Sequence, residues 1–446
     1  MISLLKEACV MKRHISNRLL AWKDNPKRKP LILEGARQVG KTYSVKEFAQ
    51  GHFDNYLELN LEYEPNLADI FKHALNPDDI IKEFELRTST TIHPDHTLIF
   101  LDEVQASERA LTALKYFQEK APQYHLVAAG SVLGLAVSEK RVSYPVGKVD
   151  ILAMYPMNFE EFLWSAGEAQ LANHIRTCFT QDKFNTLHEK ALRLYRDYLV
   201  CGGMPEAVKN YHEADNLTQA QLTHRTLEKM YLADIAKYAP PTEVMRIRDA
   251  WNSLPGQLLR ENRKFKYSSV VKGGRADAYR YPLAWLEAAN MVNRCKQVST
   301  GTSPLRAHES SDFFKLYLHD TGLLTTLYGA SPQSVLTNSI ESSHFKGALA
   351  ENYLMQQLCA NNTQTWYWGR SGNPEVDFVI QNKDAQAIPI EVKSSDNVRS
   401  RSLNIFSEKY HPALSVRISS KNFGFAKGIK SVPLYAAHCI TEEVGT

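Results

Sequence analysis

Apolar and polar positions change their spacing several times along the chain, and those changes divide it. Short apolar runs of strand length fall at 31–34, 56–61, 97–102 and 126–129, with helix-period stretches between them. Such alternation predicts a parallel sheet covered on both faces, preceded by a helix at 15–22. Near residue 158 the pattern turns helical, with Asn158 placed as an N-cap and Glu161 three residues on. From 168 to 240 it stays helical, broken at Cys201-Gly202-Gly203-Met204-Pro205. Residues 243–330 read as helix, basic turn, a second helix with Pro282 in its first turn, a short strand and a polar loop from Ser299 to Asp312. That is the order of a winged-helix module. The polar, punctuated stretch Ser331 to Ser343 reads as a linker. Beyond it come a helix at 345–360, strands at 366–368, 375–380 and 388–393, and a helix at 402–410. The expected architecture is α/β, in four segments: 1–165, 166–242, 243–330 and 343–446.

Composition narrows the class. A chain of 446 residues is too long for one core, and 43% hydrophobic with 23% charged residues is ordinary for a soluble protein. Six cysteines with no C-x-x-C pair suit free thiols in a reducing compartment, not a disulfide framework or a zinc site. Charges at Lys6, Glu7, Lys12 and Arg13 interrupt the first apolar patch, which argues against a signal peptide. No segment approaches the roughly 20 apolar residues of a membrane span. A cytoplasmic protein without a membrane partner is expected. The net charge of +4 permits a nucleic-acid partner without requiring one. Between Arg260 and Arg280, however, seven basic residues (Arg260, Arg263, Lys264, Lys266, Lys272, Arg275, Arg280) face two acidic ones (Glu261, Asp277). This is either a phosphate-contacting surface or a solvated face of a helical spacer.

Two motifs carry nucleotide chemistry. Gly35-Ala36-Arg37-Gln38-Val39-Gly40-Lys41-Thr42 matches the G-x-x-x-x-G-K-[ST] phosphate loop, between an apolar strand and a helix-forming stretch. Backbone N–H groups of such a loop wrap phosphates, Lys41 would reach the β- and γ-phosphates, and the Thr42 hydroxyl would ligate Mg²⁺. Downstream, Thr97 to Glu103 (TLIFLDE) is an apolar strand ending in two carboxylates. Asp102 suits the Mg²⁺ water shell and Glu103 suits activation of the attacking water. After a third strand, Gly130-Ser131 places a polar group where the γ-phosphate could be sensed, although the pair is also a common turn.

The last hundred residues hold a second set. Asp377 lies in one expected strand, and Glu391 and Lys393 lie two apart on one face of the next. Two carboxylates converging across a hairpin suit a hard divalent cation, and a neighbouring ammonium helps a bound water ionise. Glu351 on the preceding helix adds a third carboxylate. The plainer alternative is the wet face of a strand.

Taken with MYPMNFEEFL (154–163), CGGMPEAV (201–208), YLADIAK (231–237), FFKLYLHDTGLL (313–324), GALAENYL, EVDFVI and IPIEVKSS, these motifs span nearly the whole chain. Together they resemble the AAA-type ATPases of prokaryotes that carry a C-terminal domain of unknown function. The resemblance implies an AAA-like core, a winged helix and a terminal domain of PD-(D/E)XK nuclease-like fold. It implies nucleotide roles for Lys41, Thr42, Asp102, Glu103 and Ser131, and nuclease roles for Glu351, Asp377, Glu391 and Lys393, with Asp377 and Glu391 as metal ligands. ATP and Mg²⁺ are the implied cofactors. Nucleic acid, DNA first, and further copies of the chain are the implied partners. The chain departs from the family pattern at Ala36, often Pro, and at Gly147-Lys148, commonly Gly-Arg; a lysine there would stabilise transition-state charge less well. An ATPase that binds and cuts nucleic acid, and a nucleotide-dependent scaffold with a silent nuclease-like domain, as in a defence or mobile-element system, both fit.

Overall fold

The computed structural model describes residues 11–130, 147–337, 343–369, 374–394 and 401–442. The chain divides into two compact units, one of residues 12–155 with 288–290, the other of 156–287 and 291–446. No helix among the described residues is long and apolar enough to cross a membrane.

The first unit is built on five parallel strands: β1 (Leu31–Glu34), β2 (Asn55–Asn60), β3 (Thr97–Asp102), β4 (His125–Gly130) and β5 (Asp150–Ala153), in the order β2-β3-β4-β1-β5. Every residue of β3 and β4 is buried, as a parallel sheet covered on both faces demands. One face packs Ile32, Leu57, Ile99, Leu101 and Leu126 against Leu111, Leu114 and Phe117 of the helix Glu108–Lys120. That helix starts at Ser107, whose side chain accepts from the Ala110 N–H.

The second unit joins helices to an eight-stranded sheet. Its strands are β6 (Val292–Val298), β7 (Glu309–Leu318), β8 (Trp366–Trp368), β9 (Val376–Gln381), β10 (Ala387–Val392), β11 (Ser415–Ser419), β12 (Gly424–Ala426) and β13 (Ile429–Pro433). They run in the order β12-β13-β11-β10-β9-β8-β6-β7. The strand and loop read as a wing therefore do not stand apart: β6 pairs with β7 on one side and, in parallel, with β8 on the other. Sequence spacing could not show this, because the pairing joins Lys296 to Trp366 across a long separation. Nor does the polar stretch at 331–343 separate two compact units. Its first part is the helix Pro332–Leu336, capped by the Ser331 side chain and anchored by buried Val335.

The helices of this unit meet the expectation for 168–240: Ala169–Thr180, His188–Cys201, Pro205–Ala214 and Leu217–Tyr238. Asn158 and Glu161 form a reciprocal capping box. The break at 201–205 has a specific cause. Fully buried Asp320 accepts from the Gly203 N–H at 2.6 Å and the Leu323 N–H at 2.8 Å. Gly202 has φ +67°, and a Cβ there would lie 2.2 Å from Asp320 Oδ1, so glycine is required.

Because β6 and β7 belong to the terminal sheet, a 343–446 fragment is expected not to fold on its own, whereas 156–446 is expected to melt cooperatively. Thermal unfolding followed by near-ultraviolet circular dichroism checks this. A cooperative transition in the short fragment would contradict it.

Candidate functional site

β1 lies between β4 and β5, and the phosphate loop leaves its C-terminal end. Gly35 has φ +154°, and a Cβ there would sit 2.2 Å from the Met154 carbonyl oxygen. Only glycine lets the loop pass β5 this closely. Gly40, at φ +94°, turns the chain into the helix Lys41–His52. Ala36 and Val39 are buried beneath the loop. The Lys41 ammonium donates to the Gly35 and Ala36 carbonyls at 2.8 and 2.9 Å. Burial pushes this ammonium down to about 8, although Glu103 and Asp102 pull the other way.

Register brings the second motif to the same edge. Leu101 pairs with Ala128, and Ala128 with Ile32, so Asp102 and Glu103 end level with the loop. The Thr42 hydroxyl donates to Asp102 Oδ2 at 2.9 Å. Burial raises the Asp102 carboxyl above its ordinary value, and the Thr42 hydrogen bond opposes the rise. Glu103 has φ +50°, an unusual conformation for a residue with a side chain, and its own N–H donates to Asp102 Oδ1 at 3.0 Å. Its carboxylate accepts from the Gln105 amide. Strain of this kind collects where a group must be held in place.

Arg13, read in the sequence only as a charge, is a supporting residue. It is buried and donates to the carbonyls of Val39 at 2.9 Å and Tyr155 at 2.7 Å, tying the loop to the chain after β5. Its only sequence signal is a basic residue at the entry to the first helix, which is too common to single out. Lys148 proves to be elsewhere. It precedes β5, whose Asp150 pairs with Leu31, so it lies at the opposite sheet edge from the loop and pairs with Glu119 at 3.0 Å. It cannot serve the phosphates of its own unit. Ser131 lies outside the described residues.

In the second unit Ile390 pairs with Phe378 antiparallel, which sets Glu391 opposite Asp377. Asp377 Oδ2 accepts the Val392 N–H at 2.9 Å, and Glu391 Oε1 accepts from Lys393 at 2.6 Å. Glu391 Oε2 is buried with no hydrogen-bond partner. Burial pushes the Asp377 carboxyl up to about 7, helped by the nearby charge of Glu351. Glu351, on the helix Ser343–Ala360, is already engaged: it accepts from Arg263 Nη1 at 2.6 Å and from the Tyr317 hydroxyl at 2.9 Å. Buried Lys315 lies 3.7 Å from it. Burial would raise the Glu351 carboxyl, but Lys315 and Arg263 outweigh burial and hold it low. Arg263 and Lys264 thus point into this cluster and not to solvent: Lys264 pairs with Glu375 at 3.2 Å. The expectation that both contact phosphates is corrected by these pairings.

Comparison with known families assigns three stretches. Residues 27–163 match the family described as "AAA domain". The first unit carries an AAA-type ATPase domain. Residues 192–334 and 346–437 match two families, each described as a domain of unknown function (DUF8612 and DUF4143). No curated protein matches the chain in sequence. Among solved structures, a Walker-type ATPase of Pyrococcus abyssi is similar at 13% identity and a TM-score of 0.44, over 72% of this chain and 96% of that one. The Aeropyrum pernix ORC2 protein is similar at 13% identity and 0.35, over 73% and 92%. The ORC1 protein of the same organism, solved with DNA, is similar at 11% identity and 0.29, over 71% and 90%. Scores this low do not carry over to function.

The AAA domain fits nucleotide and Mg²⁺. A desolvated ammonium folded onto its own loop's carbonyls can turn to an anion, and Thr42 with Asp102 offers the oxygen donors Mg²⁺ prefers. The second cluster does not fit a metal as it stands: among the described residues no three His, Cys, Asp or Glu side chains come together to hold one.

The low value at Lys41 gives a measurable signature. Above pH 8 the empty loop is largely uncharged at Lys41, and bound triphosphate would restore its proton. The phosphates' own last ionisation, near about 6, is then complete. ATP binding at pH 9 is therefore expected to take up close to one proton, and binding at pH 7.5 much less. Calorimetry in buffers of differing ionisation enthalpy measures this. Equal uptake at both pH values would show that Lys41 is not the group concerned.

Proposed function

We propose that the chain is an ATP-hydrolysing switch whose nucleotide state governs its hold on nucleic acid. The observation that carries the reading is the hydrogen bond from Thr42 to Asp102, with Lys41 and Glu103 at the same sheet edge. Bound Mg²⁺, held through the oxygens of Thr42 and Asp102, would supply charge neutralisation at the phosphates. Lys41 leaves the Gly35 and Ala36 carbonyls for the γ-phosphate and orients it. Gly35 to Thr42 offer backbone N–H groups to the remaining phosphate oxygens. Water attacks the γ-phosphorus, its proton passes to the Glu103 carboxylate, and the bond to the bridging oxygen breaks to give ADP and phosphate. Ser131, the residue after Gly130 in the sequence, is the group we assign to reporting the γ-phosphate.

Nucleic-acid binding rests on the basic run with its two inward members removed. Arg260, Lys266, Lys272, Arg275 and Arg280 are exposed, whereas Arg263 and Lys264 are not. For the terminal region, two readings stand: metal-dependent phosphodiester cleavage by Glu351, Asp377, Glu391 and Lys393, and a silent nuclease-like docking surface. Both Glu351 oxygens are already hydrogen-bonded, which favours the silent surface.

Lys41→Ala is expected to lower ATP affinity more than tenfold. Glu103→Gln should keep binding while hydrolysis falls by about 10²–10⁴. Nucleotide affinity equal in wild type and Lys41→Ala, by calorimetry, would sink the assignment. Reversing Lys266, Lys272 and Arg275 to Glu should weaken DNA binding and reduce the slope of log affinity against log salt by about one per lost phosphate contact. An unchanged slope would leave this run as a solvated face.

A further inference from the structure

Four carboxylates of the second unit meet four cations. Glu351 is paired with Arg263, Glu375 with Lys264 and Lys315, and Glu391 with Lys393, while Asp377 lies in the field of Glu351, Lys315 and Glu391. The formal charges cancel, so nothing is left over to attract a divalent ion. Three of the cations come from outside the terminal family match at 346–437: Arg263 and Lys264 from the turn before the helix Ala276–Ala288, and Lys315 from β7.

Their placement is specific. Lys315 is 1% exposed and lies 2.7 Å from Glu375. Arg263 takes φ +47°, a strained conformation for a residue with a side chain. Gly347, one turn before Glu351, leaves room for the guanidinium: a Cβ there would sit 2.5 Å from Arg263 Nη2. The segment is stitched to β7 by the Phe265 N–H donating to the Phe314 carbonyl at 3.0 Å and by a bridge between Lys264 and Lys315.

We infer that Arg263 and Lys315 take the place of a divalent metal in this carboxylate cluster, making the terminal sheet a metal-free platform at which no phosphodiester is cut. The inference rests on the silent reading of the terminal region and is independent of ATP hydrolysis. For Glu351 to join a metal it would have to release Arg263 and leave Lys315 buried without its full complement of negative charge, which is strongly unfavourable for a desolvated cation. Mg²⁺ is held by one or two carboxylates with water filling its octahedron, but here Glu391 already holds Lys393 at 2.6 Å and Asp377 already accepts the Val392 N–H at 2.9 Å.

The test uses the full chain, free of nucleotide, with Mn²⁺ as the probe. Wild type is expected to show no Mn²⁺ site, by electron paramagnetic resonance, that Asp377→Asn removes, and no Mn²⁺-dependent change in Tm that differs between the two. The double variant Arg263→Gln with Lys315→Gln uncovers the carboxylates. It should gain one Mn²⁺ site, abolished by adding Asp377→Asn, with a rise in Tm of about 2–4 °C or more at saturating metal. A wild-type Mn²⁺ site lost in Asp377→Asn overturns the inference, and so does a folded double variant that gains none. If the double variant fails to fold, the comparison of wild type with Asp377→Asn still decides. Plasmid nicking in Mg²⁺ separates the two levels. Mn²⁺ bound without nicking overturns only the substitution of cations for metal, whereas nicking lost in Asp377→Asn overturns the silent reading as well.

Discussion

A carboxylate buried as deeply as Glu351 must be answered by positive charge, and the architecture of the second unit follows from where that charge comes from. The helix Ser343–Ala360 could not bury Glu351 against the sheet by itself, because an unpaired ion there would cost several kcal/mol. Arg263 and Lys315 supply the answer from segments that precede the helix by some distance in sequence. The same need explains why β6 and β7 extend the terminal sheet: β7 is the strand that carries Lys315 inward. Tyr317, two residues along on the same face of β7, completes the set with its hydroxyl.

The first unit depends on a different constraint, the parallel register. Four residues from two distant motifs lie at one place because β1, β4 and β3 end level, and they end level because their apolar residues interlock on both faces. The local costs are paid at Gly35, which passes the Met154 carbonyl, and at Glu103, held in left-handed backbone. Arg13 fixes the loop from behind by donating to the Val39 and Tyr155 carbonyls.

Much of this was legible in the chain. Strand-length apolar runs placed β1 to β4 closely, since a strand buried on both faces needs a continuous apolar run, and glycines at fixed offsets marked the phosphate loop. The spacing of Asp377 and Glu391 predicted a pair facing each other across a hairpin, which the register shows. What stayed hidden was partnership. A basic run displays its charge but not its direction, so Arg263 and Lys264 looked like Lys266 and Lys272. A short strand followed by a polar loop looks alike whether it forms a wing or the edge of a larger sheet, because the deciding bonds are those from Lys296, Gln297 and Val298 to β8. The departure at Gly147-Lys148 bears on the phosphates of its own unit only if Lys148 lies near them, and the strand direction puts it at the far edge.

The basic run does two things at once, and its division has an electrostatic logic. Left bare, Glu351, Glu375, Asp377 and Glu391 would project a strong negative field over roughly a Debye length, about 8–10 Å, and would repel any phosphate backbone near the run. Arg263 and Lys264 turn inward and, with Lys315 and Lys393, cancel that field. The run gives up two of its seven positive charges to do so. The five that remain outward then act on solvent without four opposing charges behind them. Replacing the internal cations by a metal would restore cancellation only while the metal stayed bound. Cations supplied by the chain itself make the outward face basic whenever the unit is folded.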